Sequence, residues 1–123
     1  HSTSSICSVS QKAAVAALTG PYDCVESMRQ AFQKRRDMAW KEIASWSNVV
    51  CPKPEGAFYL FADISALYDE KMPDATAACT RLLSEAGVAL VPGDAFGAPD
   101  CIRFSDDVLM DALARVRKVL IGQ

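Results

Sequence analysis

The chain has 123 residues, 50% of them apolar and 23% charged, with a net charge of −2. That length holds one hydrophobic core, and basic residues scattered apart from Lys34-Arg35-Arg36 leave no electrostatic footprint for nucleic acid. No apolar run reaches the roughly 18 residues of a membrane span, and the first residues lack the basic, apolar, small-residue order of a signal peptide.

Residues 5–18 carry an alanine-rich helical pattern, with Ile6, Val9, Ala13, Ala17 and Leu18 near one side. Thr19-Gly20-Pro21 stops it. From Asp23, placed as a cap, to about Trp46 a long helix is predicted. Val25, Met28, Phe32, Ala39, Ile43 and Trp46 recur there at three- and four-residue steps, a core stripe to which no chemistry is assigned. Residues 48–56 form a loop punctuated by Pro52, Pro54 and Gly56. Residues 57–64 are nearly continuously apolar and read as a strand buried on both faces, the central one of a small sheet. The connection 65–72 resolves into no regular element. Asp74 caps a further helix with Ala75, Ala78, Leu82 and Ala86 on one stripe and Gly87 at its stop. Residues 88–91 and 101–104 read as short strands. A last helix spans about 107–120, with Leu109, Ala112, Leu113, Val116, Val119 and Leu120 inward, acids at its start and Arg115, Arg117 and Lys118 near its end. This order gives a two-layer α+β domain, a small mixed or antiparallel sheet with helices mainly on one face.

The five cysteines, at positions 7, 24, 51, 79 and 101, are far apart and contain no C-x-x-C pair. They read as reduced core residues of a cytoplasmic protein. The sole histidine is His1, which excludes a histidine-based metal site or catalytic triad within this chain.

The chemistry concentrates between Leu90 and Ser105. Pro92, Gly93, Gly97 and Pro99 break regular structure between the two short strands, and Phe96 gives the loop something to bury. The second strand then delivers Arg103 between Ile102 and Phe104. A guanidinium so placed is costly unless an anion meets it. The anion is either a carboxylate of this chain, with Asp63, Asp94 and Asp106 as candidates, or a ligand carboxylate gripped by the planar fork of Arg103.

The wording of the segment favours the ligand. Glu85-Ala-Gly-Val-Ala-Leu-Val-Pro-Gly-Asp-Ala-Phe-Gly followed by Ile102-Arg103-Phe104-Ser105 closely resembles the C-terminal signature of the class I/II aminotransferases, pyridoxal-phosphate enzymes of fold type I. Pro54-Glu-Gly-Ala-Phe-Tyr-Leu-Phe resembles that family's proline-glycine-aromatic strand. Ser2-Thr-Ser-Ser with Gln11-Lys-Ala-Ala-Val-Ala-Ala-Leu is similar to the segment after its cofactor lysine, most of all in the aspartate aminotransferase subgroup.

The resemblance implies the C-terminal part of such an enzyme. Residues 1–20 would be a remnant helix of the large cofactor-binding domain that has lost most of its packing surface, 21–47 the long interdomain connecting helix, and 48–123 the small domain. The implied reaction moves an amino group from an amino acid, aspartate as best guess, to a 2-oxo acid such as 2-oxoglutarate through pyridoxal 5'-phosphate, in a homodimer. Arg103 would bind the substrate α-carboxylate. Gly56, Pro92, Gly93 and Gly97 would shape turns, and Phe58 and Phe96 would be core or pocket wall. Ser2, Thr3 and Ser4 carry no assigned role. Lys12, Lys34, Lys41, Lys53, Lys71 and Lys118 do not match the cofactor-lysine motif, so the chain alone is expected neither to bind the cofactor nor to transaminate. A lyase or synthase of the same fold and a free-standing ligand-binding or interaction module are the alternatives. One departure stands out: Asp106-Asp107-Val108-Leu109 follows Ser105 at once, where the family usually has a short aromatic or small, polar stretch.

Overall fold

The computed structural model describes residues 5–105 and 110–122, and the chain divides into two compact units, His1–Gln30 and Ala31–Gln123. In the first unit, helix α1 spans Ser8–Thr19 and buries none of its residues. The expected apolar side is exposed: Ile6, Val9 and Leu18 each keep more than two thirds of their surface in water. Helix α2 spans Asp23–Ile43. Asp23 is therefore its first helical residue and not its cap, and it shares the acidic first turn with Glu26. Glu26 meets Arg29 at 2.8 Å, and Arg29 and Gln30 hydrogen bonds hold its carboxyl down at about 2.

The predicted stripe of α2 is only partly buried. Val25 and Met28 are exposed, whereas Ala39 and Ile43 are buried. The helix stops three residues short of Trp46, although no glycine or proline is there. The amides of Ser45 and Trp46 turn to the carbonyls of Glu42 and Ile43, and the Ser45 hydroxyl also donates to the Glu42 carbonyl at 2.6 Å, tightening the last turn. Trp46 still reaches the core, only 3% exposed.

Strands β1 (Tyr59–Asp63), β2 (Val91–Pro92) and β3 (Cys101–Ser105) form an antiparallel sheet in the order β1-β3-β2. The central strand is thus β3 and not β1, and β1 is buried on one face only: Leu60 and Ala62 point inward while Tyr59, Phe61 and Asp63 alternate outward. β1 starts at Tyr59 because Ala57 sits at φ 62°, outside the extended region. Of the expected strand 88–91 only Val91 pairs, joined by Pro92, whose missing N–H is harmless on an edge strand. Beyond β1, Val50 and Asp63 form an isolated bridge.

Helices cover the inner face. A 3-10 turn (Ser65–Leu67) lies in the connection after β1, and α3 (Ala75–Arg81) continues as a π turn through Leu82–Ala86. Asp74 caps α3 as expected, accepting from the Ala77 amide at 2.7 Å, and Gly87 closes the π turn at φ 63°. Helix α4 spans Met110–Ile121 and buries Ala112, Leu113 and Val116; expected positions 107–109 lie outside the described residues. The core joins Ile43 and Trp46 to Leu60, Ile102 and Phe104 of the sheet, Leu82 of the π turn and Leu113 of α4. Cysteine burial departs from expectation: all five are free, but only Cys51 and Cys79 are buried, Cys101 is half-buried, and Cys7 and Cys24 are exposed.

Candidate functional site

The alternation that sends Ile102 and Phe104 into the core turns Cys101, Arg103 and Ser105 to the other face of the sheet. Because β3 is central, Arg103 has a neighbour on each side, Phe61 on β1 and Val91 on β2. The guanidinium carbon lies 4.2 Å from the ring centroid of Tyr59 and 4.7 Å from that of Phe96. Phe96 arrives from the 3-10 turn Gly93–Phe96, ended by Gly97 at φ 73°, and meets Phe61 edge-on at 6.1 Å.

The expected internal partners do not pair with Arg103. Asp63 accepts from the Ser65 amide at 2.9 Å and the Ser65 hydroxyl at 2.7 Å, Asp94 accepts from Thr76 at 3.4 Å, and Asp106 lies outside the described residues. Among the described residues no carboxylate comes within ion-pair distance of Arg103, and its nitrogens are not among the buried unpartnered atoms. Arg103 itself is half-buried.

Beside it opens a cleft of about 430 Å³, walled by Tyr59, Phe61, Asp63 and Cys101 from the sheet and by Val50, Pro52, Lys53 and Pro54 from the preceding loop. Burial, followed by Asp63 and Asp100, pushes the Cys101 thiol up, so it borders the cleft as a neutral group. Tyr68 is pushed up to about 12 by burial and by Asp100, Asp63 and Asp74, and its hydroxyl donates to the Pro99 carbonyl at 3.4 Å. Lys53 is tied at 3.1 Å to Asp37 and lies 5.1 Å from the Trp40 ring centroid.

Of the two expected wall aromatics, Phe96 stands at the arginine, while Phe58 packs against Phe32 with ring centroids 5.1 Å apart and planes tilted by 54°; both are about half exposed, so neither is core. The residue that sequence reading missed is Tyr59. Its signal was period-2 alternation, which sets Tyr59 and Phe61 on the face opposite Leu60 and Ala62. Ser2, Thr3 and Ser4 lie outside the described residues. Among the described residues no cluster could hold a metal ion, and no helix is long and apolar enough to cross a membrane.

A family model described as aminotransferase class I and II matches residues 1–116. The chain is 41% identical to an aspartate/prephenate aminotransferase from Cereibacter sphaeroides, over 99% of the chain and 33% of that protein. It is 45% identical to an aspartate aminotransferase from Geobacillus stearothermophilus, over 92% of the chain and 29% of that protein. The first alignment runs over 132 positions against 123 residues here, so that relative carries residues without a counterpart in this chain. Among solved structures, the aspartate aminotransferase from Rhizobium meliloti superposes with a TM-score of 0.87 at 33% identity, over 98% of the chain and 32% of its own length. That from Thermotoga maritima gives 0.81 at 36% identity, over 98% and 30%. The chain thus spans about a third of the length of the relatives it matches.

Proposed function

The chain belongs to the class I and II aminotransferase family, with the three-stranded antiparallel sheet and packed helices of a fold type I small domain, and we propose that it is the part of an aminotransferase that holds the substrate α-carboxylate on Arg103. The observation that carries this reading is the guanidinium itself. It is presented from the central strand against two aromatic rings, and among the described residues no carboxylate pairs with it. A bidentate carboxylate satisfies two parallel N–H groups at once and fixes rotation of the bound amino acid, which a lysine ammonium cannot do.

Enzymes of this family work with pyridoxal phosphate, which supplies the electron sink for the amino-group transfer. The residues here do not fit that group. Lys53, the lysine bordering the cleft, is engaged with Asp37 and Trp40. The cofactor and its lysine therefore belong to the rest of a homodimeric enzyme about three times this length, as the shared third of its relatives supports. Residues 1–20 would pack on the large domain, a reading supported by the exposed apolar residues of α1, and 21–47 would connect the domains. Aspartate and 2-oxoglutarate are the proposed substrate pair, on the strength of the named activity of the relatives.

The test is steady-state transamination by the full-length enzyme. Arg103→Ala should lower kcat/KM for every amino donor by about 3 kcal/mol, on the order of a hundredfold, because charge-assisted hydrogen bonds to the carboxylate vanish. An unchanged kcat/KM would return Arg103 to a structural role. The isolated chain mixed with cofactor should show no bound-cofactor absorption band.

A further inference from the structure

We infer that Tyr59 and Phe96 are positioning residues, whose rings fix the plane of the Arg103 guanidinium so that its N–H fork meets the substrate carboxylate already oriented. The inference rests on the reading of Arg103 as the carboxylate holder. Within this chain neither ring is sequestered in the core, since Tyr59 keeps 43% and Phe96 51% of their surface in water. What they share is the cation, 4.2 Å and 4.7 Å from their centroids.

The reason for rings at this position is that a long arginine has many rotamers, and ordering it at each binding event opposes affinity. A carboxylate of the protein would order it too, but would occupy the donors that the ligand needs. An aromatic face attracts the flat of the guanidinium and leaves the in-plane N–H groups free. Phe96 is itself steadied from behind by the edge-on contact with Phe61, the residue opposite Arg103 in the sheet register. One aromatic is therefore held by the strand, the other by the loop, and both close on one side chain.

The test uses the full-length enzyme with L-aspartate and its other amino donors. Tyr59→Leu and Phe96→Leu, which keep bulk but remove the π-face, should each raise KM about 3- to 10-fold with kcat little changed, and Tyr59→Phe should keep the wild-type KM. Replacing Phe96 by mono-, tri- and pentafluorophenylalanine keeps the ring and drains its face of negative charge, so KM should climb with fluorine number. This series decides the matter even if a leucine variant proves unstable in a thermal melt. A KM indifferent to fluorination while Arg103→Ala still raises it overturns the positioning role alone. A KM and kcat indifferent to Arg103→Ala overturns the carboxylate reading beneath it.

Discussion

The carbonyl oxygen of Gly93 accepts a hydrogen bond from the amide of Ala98 at 3.1 Å, and the two backbones approach so closely that no side chain fits between them. A β-carbon on Gly93 would collide with the Ala98 carbonyl and lie 2.7 Å from that of Cys101. Both obstacles are backbone, in the loop that carries Phe96 toward Arg103. Gly93→Ala should therefore destabilise the chain by about 1 to 3 kcal/mol, the usual range for overpacking a close contact. Urea unfolding measures it; a loss below a few tenths of a kcal/mol would mean that the loop yields without strain.

Asp74 offers a second test. Its carboxylate accepts from the Ala77 amide at 2.7 Å at the head of α3, whose Ala75 and Ala78 are fully buried. Asp74→Ala removes that acceptor and should lower stability by about 1 kcal/mol, with Asp74→Ser recovering most of it. Equal losses in the two variants would show that the cap bond contributes little.

This cap was legible in the sequence, and so was the arginine between two core residues, because both depend on local pattern: a polar residue before an apolar periodic run, a charge alternating with buried neighbours. What escaped was set by partners distant in sequence. The run Ala57 to Ile64 looks buried on both sides, yet Tyr59 and Phe61 spend their apolar surface on the outer face around Arg103. Only the pairing of Phe61 with Arg103 reveals that. The positive φ of Ala57 and the early end of α2 also carry no residue-type signal, since alanine rarely adopts the one and nothing near Ile43 breaks a helix. The opposite error, counting Cys7 and Cys24 as core, came from treating cysteine as a small hydrophobe in a segment with nothing to bury against.

The buried thiols predict a pH dependence. Burial pushes Cys51 and Cys79 up to about 11 from an ordinary value of 9.0, because the thiolate loses its water. These acids are neutral in the folded chain and ionise earlier in the unfolded one. Their stabilisation is therefore complete below pH 9 and drains away as pH rises toward 11, by at most about 3 kcal/mol for each thiol. Melting temperature should fall across that window, and the Cys51→Ala, Cys79→Ala double variant should fall less steeply. Parallel curves would assign the alkaline loss to other groups, Tyr68 among them.

Glu42 joins two helical segments through one carboxylate oxygen. It accepts from the Trp46 indole N–H at 3.0 Å and from Arg117 of α4 at 3.4 Å, 75 residues away in sequence. The Arg117 Nε is buried without a partner, so this guanidinium depends on Glu42 for what pairing it has. Glu42→Gln keeps a carbonyl acceptor for the indole and loses only the charge; because the pair is partly exposed, that should cost about 1 kcal/mol or less. Glu42→Ala strands the indole N–H and the half-buried guanidinium together and should cost about 2 kcal/mol. A cycle with Arg117→Met separates the two contributions, because the indole bond survives in the single Arg117 variant. Equal losses for glutamine and alanine would place the effect wholly in the ion pair and leave the Trp46 bond without weight.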